Sequence, residues 1–286
     1  MTLTPEQVKG RIKSLATRNN ADARVMLRIY MMERFLERIA VSKYSENFII
    51  KGGVLVTSMV GVAMRTTMDI DTTIRNLNLS EEDALEIVNE IVSIDLEDGV
   101  SFNVKDIGSI MDNMEYPGVR VTLDALMGKM MVPIKIDIST GDIITPRAIE
   151  YCYPLMLEER TINLWSYNLE TILAEKLQTV LSRGILNTRT RDFYDIYTLS
   201  GMYRDRIDVE VLNGGFKATC EKRNSEKLLT DAHSIIDSIE ADDTVKELWK
   251  SYQKKFAYAA DISFESVLNS IKELADLATQ LNLTNR

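Results

Sequence analysis

Residues 132–139, VPIKIDIS, alternate strictly between apolar and polar, a pattern that fits little except a strand with one covered face. Side chains two apart in a strand share a face, so Ile134, Ile136 and Ile138 point to a core. Lys135, Asp137 and Ser139 then share the opposite side. VSFNV (100–104) and VRVTLDAL (119–126) read the same way, with turns supplied by Tyr116-Pro117-Gly118 and Gly128-Lys129. FIIK (48–51) is strand-like, and MDIDTTI (68–74) again has period two. A sheet is required, and it belongs to the first part of the chain. From about residue 168 the period becomes helical, in stretches such as NLETILAEKLQTVLSRG and SFESVLNSIKELADLATQL.

The chain is therefore expected to be α+β, with an α/β lobe over 1–165 and an all-helical lobe over 166–286. Helices at 5–42 precede the strands. Thr4-Pro5-Glu6-Gln7 has a capping residue, a proline in the first turn and Gln three after the cap. Residues 21–42 repeat apolar side chains at Val25, Ile29, Met32, Leu36 and Ile39, and Ser80 with Asp83 opens an acidic helix.

Composition excludes several chemistries. The single histidine, His233, leaves no basis for a His-rich zinc site or a Ser-His-Asp triad, and a structural role is expected for it. Cys152 and Cys220 lack metal-ligand spacing and read as reduced thiols. Neither a signal peptide nor an apolar run of spanning length is present, so a cytoplasmic protein without a membrane partner is expected. A net charge of −9 opposes general nucleic-acid coating. The charge is uneven: residues 1–46 hold nine Lys/Arg against five Asp/Glu, while 81–98 hold eight acids and no base. The basic helices suit either an RNA backbone or plain solvent.

Asp69 and Asp71 are two apart and share a face. If their strand neighbours VPIKIDIS, Asp137 joins them. Two carboxylates ~5 Å apart repel by about 3 kcal/mol at an effective dielectric near 20, so such a cluster calls for raised pKa values or a cation. Oxygen donors without His or Cys favour Mg²⁺ or Mn²⁺. Gly52 and Gly53 stand where strand hands over to helix, where free backbone N–H groups suit a triphosphate.

A second charged group lies in AEKLQTVLSRGILNTRTRDFYDIYTL (174–199). Lys176 sits on an amphipathic helix ending near Gly184; Arg189 and Arg191 lead into a helix with Asp192 and Asp195 on one face. Lys176 and an arginine binding nucleotide phosphates, oriented by Asp192, is one reading. A local Arg191–Asp195 pair on an exposed helix is the other.

Together these segments resemble the AbiEii/AbiGii toxin family of bacterial nucleotidyltransferases, a branch of the DNA polymerase β-like superfamily. The first family motif is matched by Gly52-Gly53, Arg65, Thr67 and Asp69-Ile70-Asp71, and the strand carboxylate by Asp137. The third is matched by Lys176, Arg189, Asp192 and Asp195, with Arg191 where the family has lysine. The resemblance implies a nucleotidyltransferase-fold lobe with a mixed sheet and flanking helices. It also implies an Mg²⁺- or Mn²⁺-dependent transferase using an NTP, with GTP and CTP as candidates. Asp69, Asp71 and Asp137 would hold the metal, with Lys176 and Asp192 also catalytic. Gly52, Gly53, Arg65, Thr67, Lys176, Arg189 and Arg191 would serve the nucleotide, Arg65 and Thr67 by shaping the loop or touching phosphate. The role implied is a toxin of a type IV toxin–antitoxin or abortive-infection pair, with phage defence as its setting. An AbiEi-like DNA-binding antitoxin is the genetic partner, direct contact not being required. The 3′ end of tRNA is the leading acceptor. A protein hydroxyl or small molecule, or a non-catalytic NTP-binding protein, are the alternatives.

Overall fold

The computed structural model of the chain describes residues 3–110 and 118–279. The Tyr116-Pro117 part of the expected turn lies outside them. The first helix, α1 (Pro5–Arg18), opens on the expected capping box: Gln7 N–H donates to Thr4 Oγ1 and Thr4 N–H to the Gln7 side chain. The next elements are α2 (Ala23–Val41), β1 (Phe48–Lys51), α3 (Gly52–Val60), β2 (Ile70–Ile74) and α4 (Glu81–Val92). Long strands follow, β3 (Ser101–Ile110), β4 (Gly118–Met127) and β5 (Met130–Thr140), then β6 (Ile149–Pro154) and β7 (Thr161–Ser166). The remaining helices are α5 (Leu169–Arg183), α6 (Thr190–Met202), α7 (Val209–Lys222), α8 (Leu228–Ala241), α9 (Asp243–Lys255) and α10 (Phe264–Thr279).

One mixed sheet has the order β3-β4-β5-β2-β1-β7-β6. The β2–β5 and β1–β7 pairs are parallel and the others antiparallel. In β5 the alternation behaves as expected: Ile134, Ile136 and Ile138 are buried while Lys135 is exposed. The aliphatic face packs under α2, whose Met26, Ile29, Met32, Phe35, Leu36 and Ile39 are all buried.

The chain divides into two compact units, Met1–Asp142 with Ile149–Ser166, and Ile143–Ala148 with Tyr167–Arg286. The segment 143–148 is tied to the helical unit by the residue that caps α5. Asn168 Oδ1 accepts from Thr171 N–H at 2.8 Å, and its amide donates to the Thr145 carbonyl at 2.6 Å. Within this unit α5 packs on α6, α7 and α8, and α10 covers α6, α7 and α8. Gly184 ends α5 at φ +49°. Among the described residues no helix is long and apolar enough to cross a membrane.

Candidate active site

The loop between α3 and β2 is built around a buried cation. Arg65 is 2% exposed. Its Nη1 donates to the Gly53 carbonyl (3.1 Å), Thr57 Oγ1 (3.3 Å) and the Thr66 carbonyl (3.0 Å). Thr67, also buried, donates to the Asp69 carbonyl at 3.2 Å. Of the two roles open to Arg65 and Thr67, these contacts are those of shaping the loop. A Cβ on Gly53 would stand 2.5 Å from Thr67 Oγ1 and 2.9 Å from Arg65 Nη1, so only glycine fits beneath the loop.

Asp71 is anchored from the same place. Gly53 N–H donates to Asp71 Oδ2 at 2.9 Å. Gly52 has φ +56°, and a Cβ there would stand 2.2 Å from Asp71 Oδ2. No side chain of Lys51 caps α3, and its first turn holds no acid, so Asp71 supplies the negative charge at that helix N-terminus. In this state the Gly53 amide faces a carboxylate rather than solvent.

The sheet register then assembles a row. Asp71 lies directly opposite Asp137 on β5 and Lys51 on β1, and Asp137 lies directly opposite Arg120 on β4. Directly opposed residues share a face, so Arg120, Asp137, Asp71 and Lys51 form one charged line, cation–anion–anion–cation. Strands lie about 4.8 Å apart, which places the two carboxylates side by side. The line is closed at each end. Arg120 grips Asp137 with Nε on Oδ1 and Nη2 on Oδ2, both 2.7 Å. Lys51 donates to Ser139 Oγ at 2.8 Å and pairs with Asp142.

Asp69, half-buried at the head of β2, completes the carboxylate group. Burial raises its pKa first, then the charges of Asp137 and Asp71; Lys135 and Arg120 oppose the rise. The neighbouring Asp137 raises the Arg120 pKa through its hydrogen bonds. All three expected acids therefore meet. Among the described residues, however, no three such side chains are already spaced to enclose a metal. The donor chemistry fits a hard divalent cation nonetheless: oxygen only, with Asp69 held against two other carboxylates whose repulsion a cation would relieve.

The second unit holds the other expected group. Lys176 donates to Asp192 Oδ1 (2.9 Å) and Asp195 Oδ2 (2.6 Å), and Asp195 is fully buried. A local pair on an exposed helix is thus not its setting. Arg189 Nε stands 3.3 Å from Asp192 Oδ2, close enough to attract but outside hydrogen-bond geometry. Arg191 is turned over the Phe256 ring, 5.9 Å from its centroid.

Other readings change in the structure. Arg34 and Arg38, part of the basic N-terminal stretch, are interior at 3% and 1% exposure. Arg34 pairs with Glu37 and Glu158, and Arg38 with Asp98. That removes two cations from any RNA-facing surface. His233 sits at the surface against Asp276. Cys152 and Cys220 are free thiols, the latter buried with its pKa pushed up to about 11.

Sequence reasoning missed Lys51 and Arg120. The signal for Arg120 was present: a two-residue turn at Gly128-Lys129 sets Met127 opposite Met130, and counting back puts Arg120 opposite Asp137.

Comparison with known proteins gives a family match over residues 34–270, described as "Nucleotidyl transferase AbiEii toxin, Type IV TA system". A comparison with curated proteins found no match. Similar solved structures include an H. pylori protein provisionally described as a nucleotidyltransferase: 15% identity, TM-score 0.49, covering 92% of this chain and 97% of that one. JHP933 from Helicobacter pylori gives 16%, 0.47, 92% and 98%. An antigenic nucleotidyltransferase-like protein from Paracoccidioides brasiliensis gives 13%, 0.36, 83% and 95%.

Proposed function

Because the chain belongs to the AbiEii nucleotidyltransferase toxin family of type IV toxin–antitoxin systems, we propose that Asp69, Asp71 and Asp137 are the site at which it transfers a nucleotide from an NTP to an acceptor. The observation that carries this is the register that sets Asp71 beside Asp137, with the Asp69 pKa raised by burial and then by the charges of both. These three carboxylates would hold Mg²⁺ or Mn²⁺. When bound, the ion supplies charge neutralisation for the nucleotide's phosphates and for the charge that develops during phosphoryl transfer.

The chain's own residues set the conditions. Gly53 N–H fixes the Asp71 carboxylate, and Arg65 fixes the loop that delivers Asp69. Asp69 must lose its proton before it can bind a cation, so its raised pKa makes metal loading fall at acid pH. In the helical unit, Lys176 and Arg189 are the groups proposed to meet phosphate, with Asp192 orienting Lys176. The acceptor proposed is the 3′ end of tRNA, the nucleotide GTP or CTP, and the compartment the cytoplasm. The family implies an antitoxin as genetic partner; an AbiEi-like DNA-binding protein fits that place.

A protein or small-molecule acceptor is the second reading. It is favoured by the net charge of −9 and by the interior placement of Arg34 and Arg38. Incubating the protein with each labelled NTP, Mg²⁺ and total cellular RNA separates the two. Label in the tRNA band, lost with Asp69→Ala, is expected; label only in protein or small-molecule fractions would replace the tRNA reading.

A further inference from the structure

Both oxygens of Asp137 are already engaged. Arg120 holds them in a two-pronged contact at 2.7 Å each, and the Arg120 side chain is 45% exposed against 22% for Asp137. A guanidinium in that position supplies the positive charge that the carboxylate row lacks, in the space a divalent cation would need. Two cations cannot share one carboxylate edge cheaply, so one must yield. The neighbouring strand leaves somewhere for Arg120 to go. Directly opposite it on β3 is Gly108, and among the described residues a Cβ built there meets nothing within 4 Å. The row therefore runs Gly108, Arg120, Asp137, Asp71, Lys51, with none of the described residues filling the Cβ position of Gly108 on the side of Arg120 away from the acids.

We propose that Arg120 is an internal counter-cation that competes with the divalent ion for Asp137, and that it swings toward Gly108 when the ion enters. The consequence is a site in which the Asp137 charge is offset before the ion arrives, so that the free ion binds weakly. A metal–nucleotide complex, which brings phosphates able to attract the released guanidinium, binds better. This rests on the reading of Asp69, Asp71 and Asp137 as cation ligands.

Direct Mn²⁺ titration without nucleotide, followed by electron paramagnetic resonance of the free ion, tests it on the full chain. Arg120→Gln should tighten Mn²⁺ binding by about 2- to 5-fold, the size expected for loss of one partly exposed ionic contact. Arg120→Lys, which keeps charge but loses the fork, should fall between. Gly108→Val, which fills the space Arg120 would enter on a strand that tolerates a branched side chain, should weaken binding. Unchanged or weaker binding in Arg120→Gln would overturn the competition, since a guanidinium that merely orients Asp137 predicts weakening. Unchanged binding in Gly108→Val would overturn the swing. If neither wild type nor Arg120→Gln binds Mn²⁺, the cation reading of the three acids fails first. Far-UV circular dichroism and melting confirm that each variant is folded.

Discussion

Glu33 shows what a single buried charge does away from the candidate site. It lies inside α2 at 2% exposure; Oε1 accepts from Met156 N–H at 3.0 Å and Oε2 has no hydrogen-bond partner among the described residues. Burial pushes its carboxyl up to about 8, with Arg34 pulling the other way. The unfolded chain ionises this group near 4.5, whereas the folded chain keeps the proton to about 8. Between those values the folded state binds more protons, so stability falls as pH rises, and levels off above the upper value. The fall is on the order of 5 kcal/mol. Glu33→Gln resembles the protonated form and should remove it: urea melts from pH 5 to 8 should show a smaller loss in the variant. Parallel curves would assign Glu33 an ordinary pKa. None of this was legible in the sequence. The apolar spacing of Val25, Ile29, Met32, Leu36 and Ile39 assigns Glu33, Arg34 and Arg38 to a wet face. α2 is instead covered on nearly every side, and its charges find Asp98 and Glu158 from distant elements. By contrast Asp69, Asp71 and Asp137 were legible, because period two fixes the face of a strand residue without knowledge of its neighbours.

At the scale of elements, the site depends on how α3 starts. The glycine pair gives the turn from β1, and the N-terminus it creates is satisfied by Asp71 from β2. Gly53→Ala should therefore destabilise by about 1–3 kcal/mol, since its methyl would displace Thr67 and Arg65 and shift the Asp69 loop. Gly10→Ala is the control. That glycine is exposed within α1 with none of the described residues near its Cβ, and alanine there should stabilise by about 1 kcal/mol. Urea melts of both variants check the pair, and a neutral Gly53→Ala would mean that the loop moves freely. The strand-to-helix handover at Gly52 was readable from the sequence; β6 and β7 were not. Both are six residues long, and IEYCYP carries Glu150 and a terminal proline on an edge strand, too little aliphatic alternation to stand out. Their pairing places β1 inside the sheet, flanked on both sides.

At the scale of the whole molecule, one sheet brings residues far apart in sequence into a single charged line, and the proposed function gives that line a chemistry. Local pattern revealed Asp71 and Asp137 but not Lys51 or Arg120; only the β2–β5 parallel pairing, a contact between residues 66 apart, joined Asp71 to Asp137. The helical unit's Lys176–Asp192–Asp195 cluster is likewise assembled across two helices. The central claim is that three acids act as one cation-holding unit for nucleotide transfer. The measurement that reaches it most directly is the rate of label transfer from NTP with Mg²⁺ for Asp69→Asn, Asp71→Asn and Asp137→Asn, each checked for an unchanged melt. Each should lose on the order of a thousandfold or more, the scale of removing a principal source of transition-state charge stabilisation. Transfer at the wild-type rate in any one of the three folded variants would contradict the account.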